Sequence, residues 1–143
     1  MAGYLGTYPG KIDPKSRMHL VVPLRRTKGA AEGDEFVLCQ SFDRCLRLYD
    51  SAGWQAFEKV LADLPPGAKR KKAIRFFSEK SRRLQMDAQG RLLLPRDFLE
   101  ACGIKDEVKL VGALEYIEIW PPDAFQQEVA SAEDELGELK ELL

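Results

Sequence analysis

Short apolar runs broken by turn residues dominate the chain. Segments 8–12, 18–22, 36–40 and 45–49 are rich in Val, Leu, Phe and Tyr and bounded by Gly, Pro, Asp and Ser. That is the pattern of short strands joined by tight turns. A second set follows at 82–86, 91–94, 107–111 and 116–120. Leu46 and Leu48, like Ile117 and Ile119, alternate with polar residues, the period of a half-buried strand. Helical spacing takes over between the sets. Ser51 is a candidate cap for a helix with Trp54, Phe57, Leu61 and Leu64 on one face, stopped by Pro65-Pro66-Gly67. A second helix is predicted from about 68 to 80, with Ile74 and Phe77 inward. Pro95 starts a short helix that Gly103 stops, and Pro122 and Asp123 start the last one, which turns acidic toward Leu143.

The two strand sets are copies of one unit. Ile12-Asp-Pro-Lys-Ser-Arg17 matches Met86-Asp-Ala-Gln-Gly-Arg91, and each is followed by an apolar run and a proline. Gly33-Asp-Glu-Phe-Val-Leu matches Lys105-Asp-Glu-Val-Lys-Leu, and Cys45-Leu-Arg-Leu-Tyr49 matches Tyr116-Ile-Glu-Ile-Trp120. The spacing between equivalents drifts only from 74 to 71 residues. Ordered matches at a near-constant spacing mark an internal duplication. The organisation read from this is a first repeat over 1–64, a basic helical connector over 65–80, a second repeat over 81–128, and an acidic helical tail over 129–143.

Composition narrows the class. Apolar residues make up 45% and charged residues 31% of 143, which suits an ordered, soluble chain. No apolar run approaches the ~20 residues of a membrane span. The start MAGYLGTYPGKID lacks the apolar core of a signal peptide. A cytoplasmic location without membrane contact is therefore expected. Cys39, Cys45 and Cys102 form no disulfide framework, and with His19 the only histidine there is no zinc pattern. They read as reduced, mostly buried thiols, and His19 reads as a strand residue. No metal, cofactor or small-molecule substrate is expected. No phosphate-binding Gly loop or nucleophile elbow is present, and the chain does not read as an enzyme. Asp13 and Asp87 do not read as a catalytic pair, because acid and base need different environments and theirs match.

The net charge of −1 hides a division. Residues 1–96 carry 19 Lys+Arg against 10 Asp+Glu, and residues 97–143 carry 3 against 13. The basic part suits a polyanion, and the acidic end would be repelled by one.

Candidate chemistry sits in the repeated turns. Asp87 can bond backbone N–H groups two residues on, and Gly90 can take positive φ. Pro14 suits a type I turn over Asp13-Pro-Lys-Ser16, but Ser16 suits positive φ less well than glycine, which predicts an altered turn. Arg17 and Arg91 follow the turns. They could brace Asp13 and Asp87 internally, or face phosphate or guanine, and the two roles can coexist. Lys69, Arg70, Lys71 and Lys72, with Arg75, Lys80, Arg82 and Arg83, form the densest basic stretch. It is either a solvated helix face or a set of phosphate contacts.

At these residues the chain resembles the MraZ family of bacterial transcriptional regulators. The resemblance lies in the Asp-x-x-x-Arg motifs at 13–17 and 87–91, Phe36-Val-Leu, Cys45-Leu-Arg-Leu-Tyr, Arg75-Phe-Phe-Ser, Gly90-Arg-Leu-Leu-Leu-Pro, Leu110-Val-Gly and Ile117-Glu-Ile-Trp. It spans about residues 4–128. It implies an α+β, mostly β fold: two tandem swapped-hairpin repeats, like those of AbrB-type regulators, forming a pseudo-twofold β-barrel with flanking helices. It also implies a homo-oligomeric ring, often of eight subunits, on double-stranded promoter DNA with tandem short repeats. Such regulators act in the cytoplasm, at the nucleoid, on the cell-division and cell-wall gene cluster that contains their own gene. The family's DNA contacts carry over to Lys15, Ser16, Arg17 and Arg91. The first motif departs from the pattern. Ser16 replaces glycine, Pro23 lies six residues after Arg17 where Pro95 lies four after Arg91, and Pro23–Gly33 is a poor copy of the family helix. These departures predict a lengthened first strand. The alternative reading is a structural or antitoxin-like interaction module whose hairpin arginines are internal salt bridges.

Overall fold

The predicted strands form, and their pairing interleaves the two repeats. The computed structural model describes residues 3–143. In chain order the elements are β1 (Thr7–Lys11), β2 (Arg17–His19), α1 (Val22–Thr27), β3 (Glu35–Gln40), β4 (Leu46–Asp50), α2 (Ser51–Ala62) and α3 (Ala68–Glu79). They continue as β5 (Ser81–Gln85), β6 (Arg91–Leu93), α4 (Arg96–Ala101), β7 (Glu107–Gly112), β8 (Ile117–Trp120), α5 (Pro122–Glu135) and a 3-10 turn at Leu139–Leu142. One antiparallel sheet has the order β1-β7-β8-β4-β3-β5, and β2 pairs with β6 in a separate ribbon. Each repeat thus places its first strand against the other repeat: β1 on β7, and β5 on β3.

The backbone bonds repeat as faithfully as the residues. Leu20 N–H donates to Gly90 O at 2.9 Å, and Leu94 N–H donates to Ser16 O at 2.8 Å. Ile12 N–H donates to Asp106 O, as Met86 N–H does to Asp34 O. This is a pseudo-twofold pairing of the copies. The ribbon touches the sheet at both ends, β2 against β1 and β6 against β5. No hydrogen-bonded ladder joins β1 to β5 among the described residues, so the hydrogen bonding is that of an open sheet and a ribbon rather than a closed barrel.

Side-chain alternation splits the sheet into two faces. Phe36, Leu38, Leu46, Leu48, Ile117 and Ile119 point inward, onto Met18 and Leu92 of the ribbon and Leu24 and Phe98 of α1 and α4. Val37, Cys39 and Tyr49 point outward, onto Trp54, Phe57 and Phe77 of α2 and α3. Cys45 and Trp120 meet Ala124 and Phe125 of α5. The ribbon therefore lies on one side of the sheet, and α2 and α3 lie on the other.

Three expectations need correction. The first strand is not lengthened: β2 and β6 are three residues each, and Val22 already starts α1. Pro23 has a fixed φ and no N–H to lose, so it settles in the first helical turn instead of extending the strand. The poorly copied Pro23–Gly33 segment still holds a six-residue helix, matching α4 in length. The cap of α2 is Asp50, which accepts from Gly53 N–H at 2.7 Å. Ser51 turns away and donates to Glu35 O, and Leu64 falls beyond the helix end at Ala62. Of the three free cysteines, Cys39 and Cys45 are buried and Cys102 is half-buried.

Candidate nucleic-acid interface

The two hairpin turns are superimposable in their bonding. Asp13 Oδ1 accepts from Lys15 N–H and Arg17 N–H, both at 2.9 Å, and Asp87 Oδ1 accepts from Gln89 N–H at 2.9 Å and Arg91 N–H at 2.8 Å. Ser16 and Gly90 both sit in the left-handed region, at φ 65° and 77°. The expected alteration of the first turn does not occur, because its bonding holds Ser16 there. A residue with a Cβ costs roughly 1 kcal/mol or more in that region. Ser16 Oγ makes no offsetting hydrogen bond among the described residues. Ser16→Gly is therefore expected to stabilise the protein by about 0.5–1 kcal/mol, after glycine's greater unfolded-state entropy is counted. Thermal unfolding should shift upward by roughly 2–4 °C, and a lowered midpoint would contradict this reading of the turn.

Each arginine is held by its own turn. Arg17 Nε lies 2.7 Å from Asp13 Oδ2, and Arg91 Nε lies 2.8 Å from Asp87 Oδ2. The Asp13 carboxyl is held below its ordinary pKa, first by the Arg17 backbone N–H, which with the Arg17 side chain and the Lys15 N–H outweighs desolvation. Asp87 is lowered too, its desolvation being outweighed by the Arg91 and Gln89 donors. These bonds use the Nε edge of each guanidinium. Arg91 Nη2 also reaches Gln89 Oε1 at 3.3 Å, while the Arg17 guanidinium makes no further hydrogen bond among the described residues. Bracing thus fixes the arginines' direction and leaves terminal donors over.

The ribbon register brings the predicted contacts together. Arg17 pairs with Leu93, Met18 with Leu92, and His19 with Arg91. Met18 and Leu92 are fully buried, so Arg17, His19, Arg91 and Leu93 share the outward face. Arg17 and Arg91 are diagonal neighbours there, about 7–8 Å apart between Cα atoms. Lys15 is exposed at one hairpin tip. Three residues of this face escape sequence reading. His19 is exposed beside Arg91, a direction that its alternation with Met18 and Leu20 would have given. Arg25 of α1 lies against Gly90 of the second hairpin, and Arg96 of α4 donates to Pro14 O of the first at 3.3 Å. No local signal marks these two, since the contacts cross between repeats.

The basic stretch is elsewhere. Arg82 pairs with Asp97 at 3.3 Å and Arg83 with Glu35 at 2.7 Å. Lys69, Lys71 and Lys72 are exposed on α3, across the sheet from the ribbon. Arg70 Nε donates to Ala62 O at 3.4 Å.

One group has metal-ligand chemistry: Asp43, Cys45 and Glu118, whose ligand atoms lie within 4.8 Å of one another. Its atoms are already engaged. Cys45 Sγ donates to Glu118 Oε2, Trp120 Nε1–H donates to Glu118 Oε1, and Arg47 approaches Asp43. Burial first of all pushes the Cys45 thiol up to about 12, so it stays protonated. Among the described residues no helix is long and apolar enough to cross a membrane.

Comparison with known proteins gives one consistent answer. Residues 78–141 match the family described as "MraZ protein, putative antitoxin-like". The chain is 31% identical over 143 residues to a "Transcriptional regulator MraZ" of Christiangramia forsetii, covering 99% of this chain and 92% of that protein. It is 32% identical over 139 residues to the protein of that name in Desulforamulus reducens, covering 96% and 95%. A solved structure, "The solution structure of PHS018 from pyrococcus horikoshii", aligns over 79% of this chain and 94% of its own, at 12% identity and TM-score 0.39.

Proposed function

This chain belongs to the MraZ family of transcriptional regulators, which are not enzymes, and on that premise we propose that it binds double-stranded promoter DNA through the outward face of the β2–β6 ribbon. The ribbon spans the gap between the sheet ends as a pseudo-twofold, barrel-like closure. Lys15, Arg17 and Arg91 make the contacts, while Ser16, expected among them, is buried with its N–H on Asp13 O and its carbonyl on Leu94 N–H, and joins Asp13, Asp87 and Gly90 in shaping the turns. The observation that carries this is the pair of Asp-held arginines, aimed the same way on one face. A guanidinium fixed at Nε can still offer two Nη groups to guanine O6 and N7 or to phosphate, and little side-chain entropy is left to lose. Each Asp–Arg pair is neutral as a unit, so Lys15, Arg25 and Arg96 supply the attraction for the backbone.

One subunit offers few base contacts. A ring of subunits, eight in the family pattern, aligns copies of the face along tandem short repeats and gains avidity without new contacts. The target is the region upstream of the chain's own gene, in the cell-division and cell-wall cluster, and the protein works in the cytoplasm at the nucleoid. The antitoxin-like interaction reading has the same Asp–Arg braces in its favour, but it gives no role to the outward Nη groups.

Two single substitutions separate the contact types. Lys15→Ala is expected to weaken promoter and shuffled duplexes alike and to lower the salt slope by about 1. Arg17→Ala is expected to cost roughly 1–3 kcal/mol on the promoter and much less on the shuffled duplex. Gel-shift titrations read both. Promoter affinity unchanged in Arg17→Ala would overturn the assignment.

A further inference from the structure

The acidic tail and the basic helix α3 are charge-matched, and among the described residues their charges are not paired within the chain. Residues 68–80 hold six Lys or Arg and one Glu, net +5. Residues 128–143 hold six Asp or Glu and one Lys, net −5. Among the described residues no ion pair uses a side chain of either segment.

Both segments also carry apolar surface in need of a cover. A cleft of about 360 Å³ opens between α2, α3 and edge strand β5, with Trp54, Leu61, Ile74 and Phe77 in its walls and Arg70 and Arg83 at its rim. The tail offers Leu136, Leu139 and Leu142, which are 50%, 44% and 80% exposed. Leu139 and Leu142 are three apart in the 3-10 turn, where such residues share a face. The tail is thus acidic with a leucine edge, and the cleft is apolar with a rim in which Arg70, Arg82 and Arg83 outnumber the one carboxylate, Glu58.

We propose that the tail of one copy docks in the α2–α3 cleft of a second copy. Leu136, Leu139 and Leu142 enter the cleft, and Glu133, Asp134, Glu135 and Glu138 face Lys69, Arg70, Lys71 and Lys72. The contact joins two different surfaces, so it is heterologous and propagates around a closed ring. It also withdraws α3 from DNA, on the side of the sheet away from the ribbon arginines. The inference rests on the self-association in the proposed function and names the contact that makes it.

The test uses two full-length variants. One carries Lys69→Glu, Arg70→Glu, Lys71→Glu and Lys72→Glu; the other carries Glu133→Lys, Asp134→Lys, Glu135→Lys and Glu138→Lys. In sedimentation velocity at about 0.1 M salt, where surface charges still act over ~10 Å, each variant alone is expected to run as a smaller species than the parent. An equimolar mixture of the two is expected to regain the parent size, since both cross-pairings, native tail on native α3 and reversed tail on reversed α3, join opposite charges, and a mixture that stays small overturns the contact. The two substitution sets combined in one chain should restore the parent size. Leu139→Lys with Leu142→Lys, at exposed positions, is expected to shrink the assembly without touching α3. Parent-sized assembly in either charge variant alone overturns the contact, as does a combined chain that stays small. An α3 variant that keeps its size but loses DNA affinity also overturns it, by assigning that face to phosphate. A parent chain that sediments as one copy defeats the self-association reading itself.

Discussion

Replacing Arg17 and Arg91 together by alanine is expected to cost roughly 2–6 kcal/mol of promoter affinity, about thirty-fold at the least, at unchanged fold. Each guanidinium that loses a bidentate contact forfeits about 1–3 kcal/mol of base discrimination. The two are diagonal neighbours on one face, so their losses need not add, and a double-mutant cycle would give the coupling. The turns should survive. Asp13 and Asp87 keep the backbone N–H bonds that define them, and both carboxylates stay solvent-accessible once the arginines are gone. Circular dichroism and sedimentation matching the parent, with promoter binding lowered by at least about thirty-fold toward the level of shuffled DNA, is the expected outcome. Loss of structure together with loss of binding would make the arginines braces alone.

Asp50→Ala is expected to destabilise the fold by about 2–4 kcal/mol, the largest effect of any polar substitution away from the ribbon. One carboxylate ties three segments. Oδ1 caps α2 at Gly53 N–H, and Oδ2 accepts Tyr4 OH at 2.7 Å and lies 3.0 Å from Lys28 Nζ. The lost cap is worth about 1 kcal/mol, and the Tyr4 hydroxyl, on a side chain 2% exposed, is left without a partner at about 1–3 kcal/mol more. Asp50→Asn keeps the capping oxygen and should fall between the two. Burial alone would raise the Asp50 pKa, but the Gly53, Tyr4 and Lys28 donors outweigh it and hold the group below its ordinary range. A carboxyl lowered in the folded state contributes stability above its unfolded pKa of about 4, and that contribution is lost as pH falls through the folded value. Denaturant unfolding from neutral to acid pH should therefore show a steeper loss in the parent than in Asp50→Asn. Parallel curves would mean that Asp50 is not the linked group.

Local features were legible in the sequence, and relations between repeats were not. The Asp-x-x-x-Arg turns are contained in five residues, so their bonding could be read from Asp13 and Asp87 directly. Strand positions followed from alternation, as at Leu46 and Leu48. The cap of α2 was misplaced by one residue because Asp50 and Ser51 are both capping types, and the choice is made by Tyr4 and Lys28, which are remote in sequence. The six-residue spacing from Arg17 to Pro23 predicts a longer first strand, but the tolerance of proline in a first helical turn lets Pro23 enter α1. The basic stretch reads either as a solvated helix face or as a set of phosphate contacts. Which face of the sheet it would occupy depends on cross-repeat register, and a one-residue slip reverses every side chain. Arg25 and Arg96 stayed hidden for the same reason.

A salt series decides whether the ribbon face reads DNA. The full chain would be titrated against the duplex upstream of its own gene and against a shuffled duplex of equal length, at several salt concentrations. Binding should fall steeply with salt, with a slope of about −0.9 per phosphate contact on both duplexes, and the upstream duplex should bind more tightly by roughly a thousand-fold or more at physiological salt. Equal affinity for the two duplexes, or no salt-dependent binding to either, would contradict it.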